Sequence, residues 1–116
     1  MTHVKFEGDE SNVVSGSYST GTGPVLRSEK MEVTKISFEK GKGADIHTHP
    51  EEQVMYVLSG RLQVTCNDET YVVEPGEATF NPSNAPHGVL ALEDVTALSF
   101  KNQVAPIYEP TGRLEG

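Results

Sequence analysis

The middle of this chain never runs far before a glycine, a proline or an Asn-Asp pair interrupts it, and that spacing limits the fold more than any other feature. Of the 11 glycines and 7 prolines, 5 and 4 fall within residues 31–101 and, with the Asn-Asp turn, cut that stretch into segments too short for ordinary helices. Between interruptions the apolar residues recur with period two, the period of a strand that buries one face. Arg61-Leu62-Gln63-Val64-Thr65-Cys66 alternates polar and apolar, Asn67-Asp68-Glu69 supplies a turn and Tyr71-Val72-Val73 resumes, which predicts a hairpin. Pro75-Gly76 closes that segment. Residues 89–92 and 95–100, joined by Glu93-Asp94, predict a second strand pair around an acidic turn. Residues 31–38 and 53–58 are further strands, although the composition of residues 31–39 also suits a short helix. At least six strands fall between residues 31 and 101.

Short antiparallel strands in that number must close on themselves or stack in two sheets to protect their edges. The expectation is therefore an all-β, single-domain sandwich or barrel over residues 25–103. With 116 residues there is chain for one core and not for two. The flanks read differently. Residues 8–24 are dominated by Ser, Gly, Thr and Tyr, and residues 104–116 hold Pro106, Pro110 and Gly112. Residues 1–24 are expected to form a flexible or partner-crossing arm, and residues 104–116 a tail of the same kind. Gly21-Thr22-Gly23-Pro24 lacks the lysine and the preceding strand of a phosphate-binding loop.

With 17 acidic against 9 basic side chains, the formal charge is −8. Such a surface argues against nucleic acid or anionic lipid as a partner, because those contacts need clustered positive charge. The longest apolar run, residues 54–58, is far short of the roughly 18 residues of a spanning helix. Residues 1–10 lack the apolar stretch of a secretory signal, so a cytoplasmic location is expected. A single cysteine, Cys66, excludes an intramolecular disulfide and reads as a small apolar strand residue.

The four histidines, at 3, 47, 49 and 87, carry most of the chemical information. If residues 46–49 are extended, His47 and His49 leave the same face close enough to share one ion. His87 follows Pro86 at the start of a predicted strand, where a folded sandwich can bring it opposite the pair. Gln53 opens the strand after the Pro50-Glu51-Glu52 corner, with Gln53, Met55 and Val57 on one face and Val54, Tyr56 and Leu58 on the other. Several residues read more blandly: Glu51 and Glu52 as a solvated corner, His3 as a terminal residue, and Met55, Val57, Phe80 and Phe100 as core or cavity lining. Arg27, Lys101, Tyr18 and Tyr108 read as exposed surface without a site role.

Counting from Gly41, five residues precede His47, one separates it from His49, three separate His49 from Gln53, and six lead to Gly60. This resembles the first cupin motif, G(X)5HXH(X)3E(X)6G, with Gln53 where the family usually has Glu. The second motif, G(X)5PXG(X)2H(X)3N, is similar to Gly76, Pro82, Asn84, His87 and Ala91, with Asn84 in place of Gly and Ala91 in place of Asn. The resemblance covers residues 31–101 and implies a small double-stranded β-helix, the cupin jelly-roll barrel. It also implies that His47, His49, Gln53 and His87 ligate one divalent transition metal ion inside the barrel. Asn84 can take the left-handed backbone that Gly would use, and Ala91 leaves the ligands untouched.

Gln53 is the departure with chemical weight, because it offers a carbonyl oxygen and no charge. Three neutral imidazoles and an amide leave a bound cation nearly its full charge, which favours an anionic or enolisable ligand. The donor set suits Ni, Fe, Zn, Mn or Cu. The resemblance to small glutamine-using cupins implies a Lewis-acid isomerase, cyclase or lyase acting on a small carbonyl or carboxylate substrate. Two alternatives remain: a non-haem metal dioxygenase, and a non-catalytic module that binds a small anion. Cupins of this length resemble one another in forming dimers, so a homodimer is expected.

Overall fold

The computed structural model describes residues 18–104, together with His3, Lys5 and Phe6. The described residues form nine strands and no helix: β1 (Val25–Arg27), β2 (Met31–Phe38), β3 (Gly43–His47), β4 (Gln53–Ser59), β5 (Leu62–Cys66), β6 (Glu69–Val73), β7 (Ala78–Asn81), β8 (His87–Ala91) and β9 (Val95–Asn102). Residues 31–38 are a strand and not the short helix their composition also allowed. The β-branched Val33, Thr34 and Ile36 favour the pleated form, and pairing with β9 along the whole length of β2 supplies the ladder.

The strands lie in two antiparallel sheets, one ordered β1-β2-β9-β4-β7 and the other β3-β8-β5-β6. Their facing sides enclose a core of Ile36, Phe38, Met55, Val57, Leu62, Val64, Val73, Ala91, Val95 and Ala97. This is the all-β sandwich expected from the strand cadence, in the jelly-roll form that the cupin resemblance implied. Along one flank, the Tyr71 hydroxyl on edge strand β6 hydrogen-bonds the Thr79 hydroxyl on edge strand β7. Along the other, residues 18–24 lie against the chain's own strands: Ser19 bridges Ala44 of β3, and Thr22 bridges Ser37 of β2. The rest of the expected arm, except His3, Lys5 and Phe6, and the tail from residue 105 onward lie outside the described residues.

Turn chemistry fixes the register. Asn67 and Asp68 both have positive φ, 50° and 72°, and join the paired residues Cys66 and Glu69 as a two-residue hairpin turn that twists with its strands. Asn84 sits at φ 64°, the left-handed conformation anticipated for it. Gly60 has φ 85°, and a Cβ there would lie 2.1 Å from the Asp94 carbonyl oxygen, so β4 can turn into β5 only through a glycine.

Three strands escaped the sequence reading. β1 and β7 have only 3 and 4 residues, and β3 is bulged between Ala44 and His47, which breaks period two. The aromatic pair was also misplaced. Phe80 and Phe100 are 52% and 43% exposed and line neither the core nor the cavity between the sheets, because they flank the outward-facing Val54 in register. Met55 and Val57 on the alternate positions are buried, as anticipated. Cys66 is buried and unpaired, and burial, with Glu69 nearby, pushes its thiol up from the ordinary range. Among the described residues no helix is long and apolar enough to cross a membrane.

Candidate metal centre

The histidines come together at one end of the sandwich. His47 ends β3 and His87 opens β8, and the two are directly paired across that ladder. His49 lies beyond the end of β3, so the HxH pair is not two positions of one regular strand, as expected, but a strand end and the corner after it. The following Pro50 restricts the backbone of His49 to extended conformations, and that corner returns its ring to the cluster. Ring centroids are 4.4 Å apart for His47 and His87, 4.6 Å for His49 and His87, and 5.3 Å for His47 and His49. His3 is exposed and is not in the cluster.

All three rings are oriented by the same device. Each Nδ1 hydrogen-bonds a backbone carbonyl two residues away: Asp45 at 2.6 Å for His47, Glu51 at 2.9 Å for His49, and Ala85 at 2.8 Å for His87. A carbonyl only accepts, so each Nδ1 carries the proton and each Nε2 keeps a lone pair. One nitrogen from each ring lies within 4.8 Å of the others. His49 Nε2 and His87 Nε2 are buried without a hydrogen-bond partner. Burial, above all, pushes the three imidazoles below their ordinary 6.5, and neighbouring imidazoles and Lys101 push the same way against the carbonyl hydrogen bonds.

Lone pairs facing one another, two of them buried, with protonation disfavoured, are the electrostatic condition in which a metal cation is the favoured occupant. The donors therefore fit a divalent ion. The cavity they leave measures about 20 Å³, room for one ion or one water. An organic ligand needs a lining side chain to move.

Gln53 is buried at the start of β4. Its amide nitrogen donates to Ser99 Oγ at 2.7 Å, and its oxygen accepts from Asn81 Nδ2 at 3.3 Å, which leaves that oxygen a second lone pair. Glu51 is not the solvated corner expected of it: its carboxylate lies 3.5 Å from His49 Nδ1 with the side chain 25% exposed. Glu52 is exposed.

Sequence reasoning assigned no site role to four residues that stand here. Tyr18 stacks on His47 with centroids 3.8 Å apart, and Lys101 lines the cavity with Asn81 and the histidines. Ser99 and Asn81 hold the Gln53 amide. Lys101 and Tyr18 are thus half-buried at the site and not plain surface, while Arg27 is half-buried in an ion pair with Glu32 at 2.8 Å. Tyr108 lies outside the described residues. The signal for Lys101 was parity: Ala97, Ser99 and Lys101 share the buried face of β9.

The chain is 29% identical over 72 residues to the pectin degradation protein KdgF of Dickeya dadantii (strain 3937), a stretch covering 61% of this chain and 66% of that protein, just under two thirds of its length. In structure it is similar to KdgF from Halomonas sp., with a TM-score of 0.70 at 22% identity over 84% of this chain and 94% of that one. An RmlC-like cupin from Shewanella frigidimarina NCIMB 400 superposes with a TM-score of 0.69 at 22% identity, covering 94% and 95% of the two chains. At those identities the two structures speak for the fold. The profile of the cupin domain matches residues 34–100, more than half of the sequence, and this chain belongs to the cupin family.

Proposed function

We propose that this cupin is a metal-dependent enzyme, a Lewis-acid isomerase, cyclase or lyase acting on a small carbonyl or carboxylate compound. His47, His49, Gln53 and His87 hold one divalent transition metal ion, drawn from Ni, Fe, Zn, Mn and Cu. The observation that carries this reading is the set of converging imidazoles, two with buried Nε2 atoms that nothing in the protein satisfies. Unsatisfied buried acceptors cost about 1–3 kcal/mol each, a cost that a bound cation removes. A cation held there supplies Lewis acidity toward a carbonyl or enolate oxygen.

The protein's own part is to orient and to exclude water. The three backbone carbonyls fix the imidazole tautomer, and Ser99 and Asn81 fix the Gln53 amide. The cavity lining contains no Asp or Glu, so no carboxylate ligates the ion, and Glu51 acts only from behind the His49 ring. That charge balance supports electrophilic chemistry on an anionic ligand over oxidation through high-valent iron, which a carboxylate ligand would favour. The relationship to a pectin degradation protein supports the same substrate class, since pectin is a polymer of carboxylated sugars.

We also propose a homodimer through the outer face of the β1-β2-β9-β4-β7 sheet. Leu26, Val33, Phe100, Val54 and Phe80 stand in one register row straight across that sheet, beside a groove of about 430 Å³ that also reaches Met31. An exposed apolar row of this length is the kind of surface that a partner covers.

Elemental analysis of protein purified without a histidine tag tests the metal reading. One transition metal per chain is expected, falling by more than about 100-fold in affinity in His87→Ala, since even residues behind a ligand contribute 10–100-fold. Gln53→Glu should change metal preference more than folding. Oxygen uptake on β-diketones or flavonols would point to a dioxygenase instead, and metal binding without turnover on a broad panel of enolisable acids would point to a binding module. Sedimentation at the monomer mass of 12.6 kDa would overturn the dimer.

A further inference from the structure

The inner face of the larger sheet ends, at the histidine side, in a polar register row: Arg27 opposite Glu32, Glu32 opposite Lys101, Lys101 opposite Gln53, and Gln53 opposite Asn81. Every polar member but one is engaged. Arg27 Nε holds the Glu32 carboxylate at 2.8 Å, and Asn81 and Gln53 hold each other. Lys101 is half-buried, and among the described residues its ammonium has no salt bridge and no hydrogen-bond partner. It lines the histidine cavity, whose walls contain no acidic residue, and its charge bears on all three imidazoles.

A cation with no ion-pair partner beside a cation-binding cluster weakens that cluster's hold on a metal, and the chain is otherwise acidic, at −8. Such a placement costs the Lys101 stem rotamer freedom without an ion pair in return. The arrangement becomes favourable once an anion lies between the ammonium and the ion, and because the cavity holds only the ion, the flexible Lys101 stem is the lining side chain that moves to admit it. The spacing is set by one ladder: Lys101 and the first residue of β4, Gln53, are direct neighbours across β9 and β4.

Building on the metal-site reading above, we infer that Lys101 is the carboxylate anchor of the substrate, which is a small carboxylate carrying a second oxygen donor directed at the histidine cluster. Lys101 sets specificity for the acid over its uncharged analogues. No carboxylate side chain lines the histidine cavity to compete for the ammonium; Glu32, its cross-strand neighbour, is held by Arg27, and Glu32 and Glu52 meet Lys101 only along the outer groove.

The test uses the full chain, with Zn²⁺ as metal, pyruvate as the acidic probe and hydroxyacetone as its uncharged counterpart, followed by titration calorimetry. Lys101→Met keeps the length and removes the charge. It should weaken pyruvate binding to the Zn²⁺-loaded protein by at least about tenfold, the scale of a charged hydrogen bond, and leave hydroxyacetone unchanged. The same variant should bind Zn²⁺ more tightly than wild type, since a like charge has gone. Lys101→Arg should retain pyruvate binding. Equal pyruvate affinity in wild type and Lys101→Met overturns the inference.

Failure of the metal reading has a separate signature, no Zn²⁺ uptake by wild type. Pyruvate titrated into the metal-free protein then decides about Lys101 alone: binding lost in Lys101→Met supports the anchor, and absence of binding to wild type rejects it. A coincident thermal melt of wild type and Lys101→Met shows that the substitution leaves the fold intact.

Discussion

The two ends of the space between the sheets share five strands, β2, β4, β5, β8 and β9, and differ in almost every physical respect. At one end Ile36, Ala97 and Val57 share a row of the larger sheet, and Ala91, Leu62 and Val73 share a row of the smaller. All six are apolar and almost wholly buried, with Val57, Leu62 and Ala97 at 0%. At the other end the rows are Glu32-Lys101-Gln53-Asn81 and His47-His87-Cys66. The unsatisfied buried side-chain atoms among the described residues, on His49, His87 and Asn81, are all at that end. A few residues of strand separate a packed core from a polar mouth. The apolar end can therefore hold the fold while the histidine end carries groups that by themselves destabilise it.

The strongest test of that division is Leu62→Ala. Leu62 is fully buried in the core, and deleting such a side chain costs about 2–5 kcal/mol. Chemical denaturation should show that loss, while metal bound per folded molecule at saturation stays at the wild-type value. If metal uptake falls while the chain remains folded, the two ends are coupled and the division is wrong.

A smaller effect is expected from pH acting on the histidine end. In the metal-free protein the three imidazoles are held below their ordinary 6.5, chiefly by burial. The unfolded chain takes up protons near 6.5, whereas the native state does so only at lower pH. Between those values the unfolded state binds more protons, so stability is fully present above about pH 6.5 and falls as pH drops below it. Urea unfolding of metal-free protein between about pH 5 and 8 checks this. The fall should be shallower in His87→Gln, which removes one of the three groups, and an unchanged slope would mean that these imidazoles are not the source.

The same division explains what was legible in the sequence. The strand residues 31–38 and the hairpin around Asn67-Asp68 could be read because period two and turn chemistry are local signals. The two histidine spacings pointed to one site because each motif sits within one stretch of chain. Lys101, Ser99 and Asn81 were illegible for a specific reason. On β9 the large apolar residues Leu98 and Phe100 face outward, and Ala97, Ser99 and Lys101 face inward. Hydrophobicity alone thus assigns the wrong face to this strand near the mouth, where the inside is polar and the outside is an apolar row. Tyr18 was hidden differently: its place against His47 depends on the bridge from Ser19 to Ala44, a contact across sequence that no local pattern announces.

The smallest expected effect sharpens the comparison at the apolar end. Arg61 and Glu74 flank the Leu62–Val73 pair and form an ion pair at 3.3 Å, with side chains 46% and 56% exposed. Both charges are solvated in the folded and unfolded states, so their attraction is screened and the long side chains lose rotamer freedom in making it. Arg61→Ala should change stability by no more than about 1 kcal/mol in the same denaturation assay, against the several expected for the neighbouring Leu62→Ala. Adjacent positions then differ in effect because one side chain is out of water and the other is not. A loss for Arg61→Ala comparable to that for Leu62→Ala would show that this end is held by its charged rim as much as by its apolar interior.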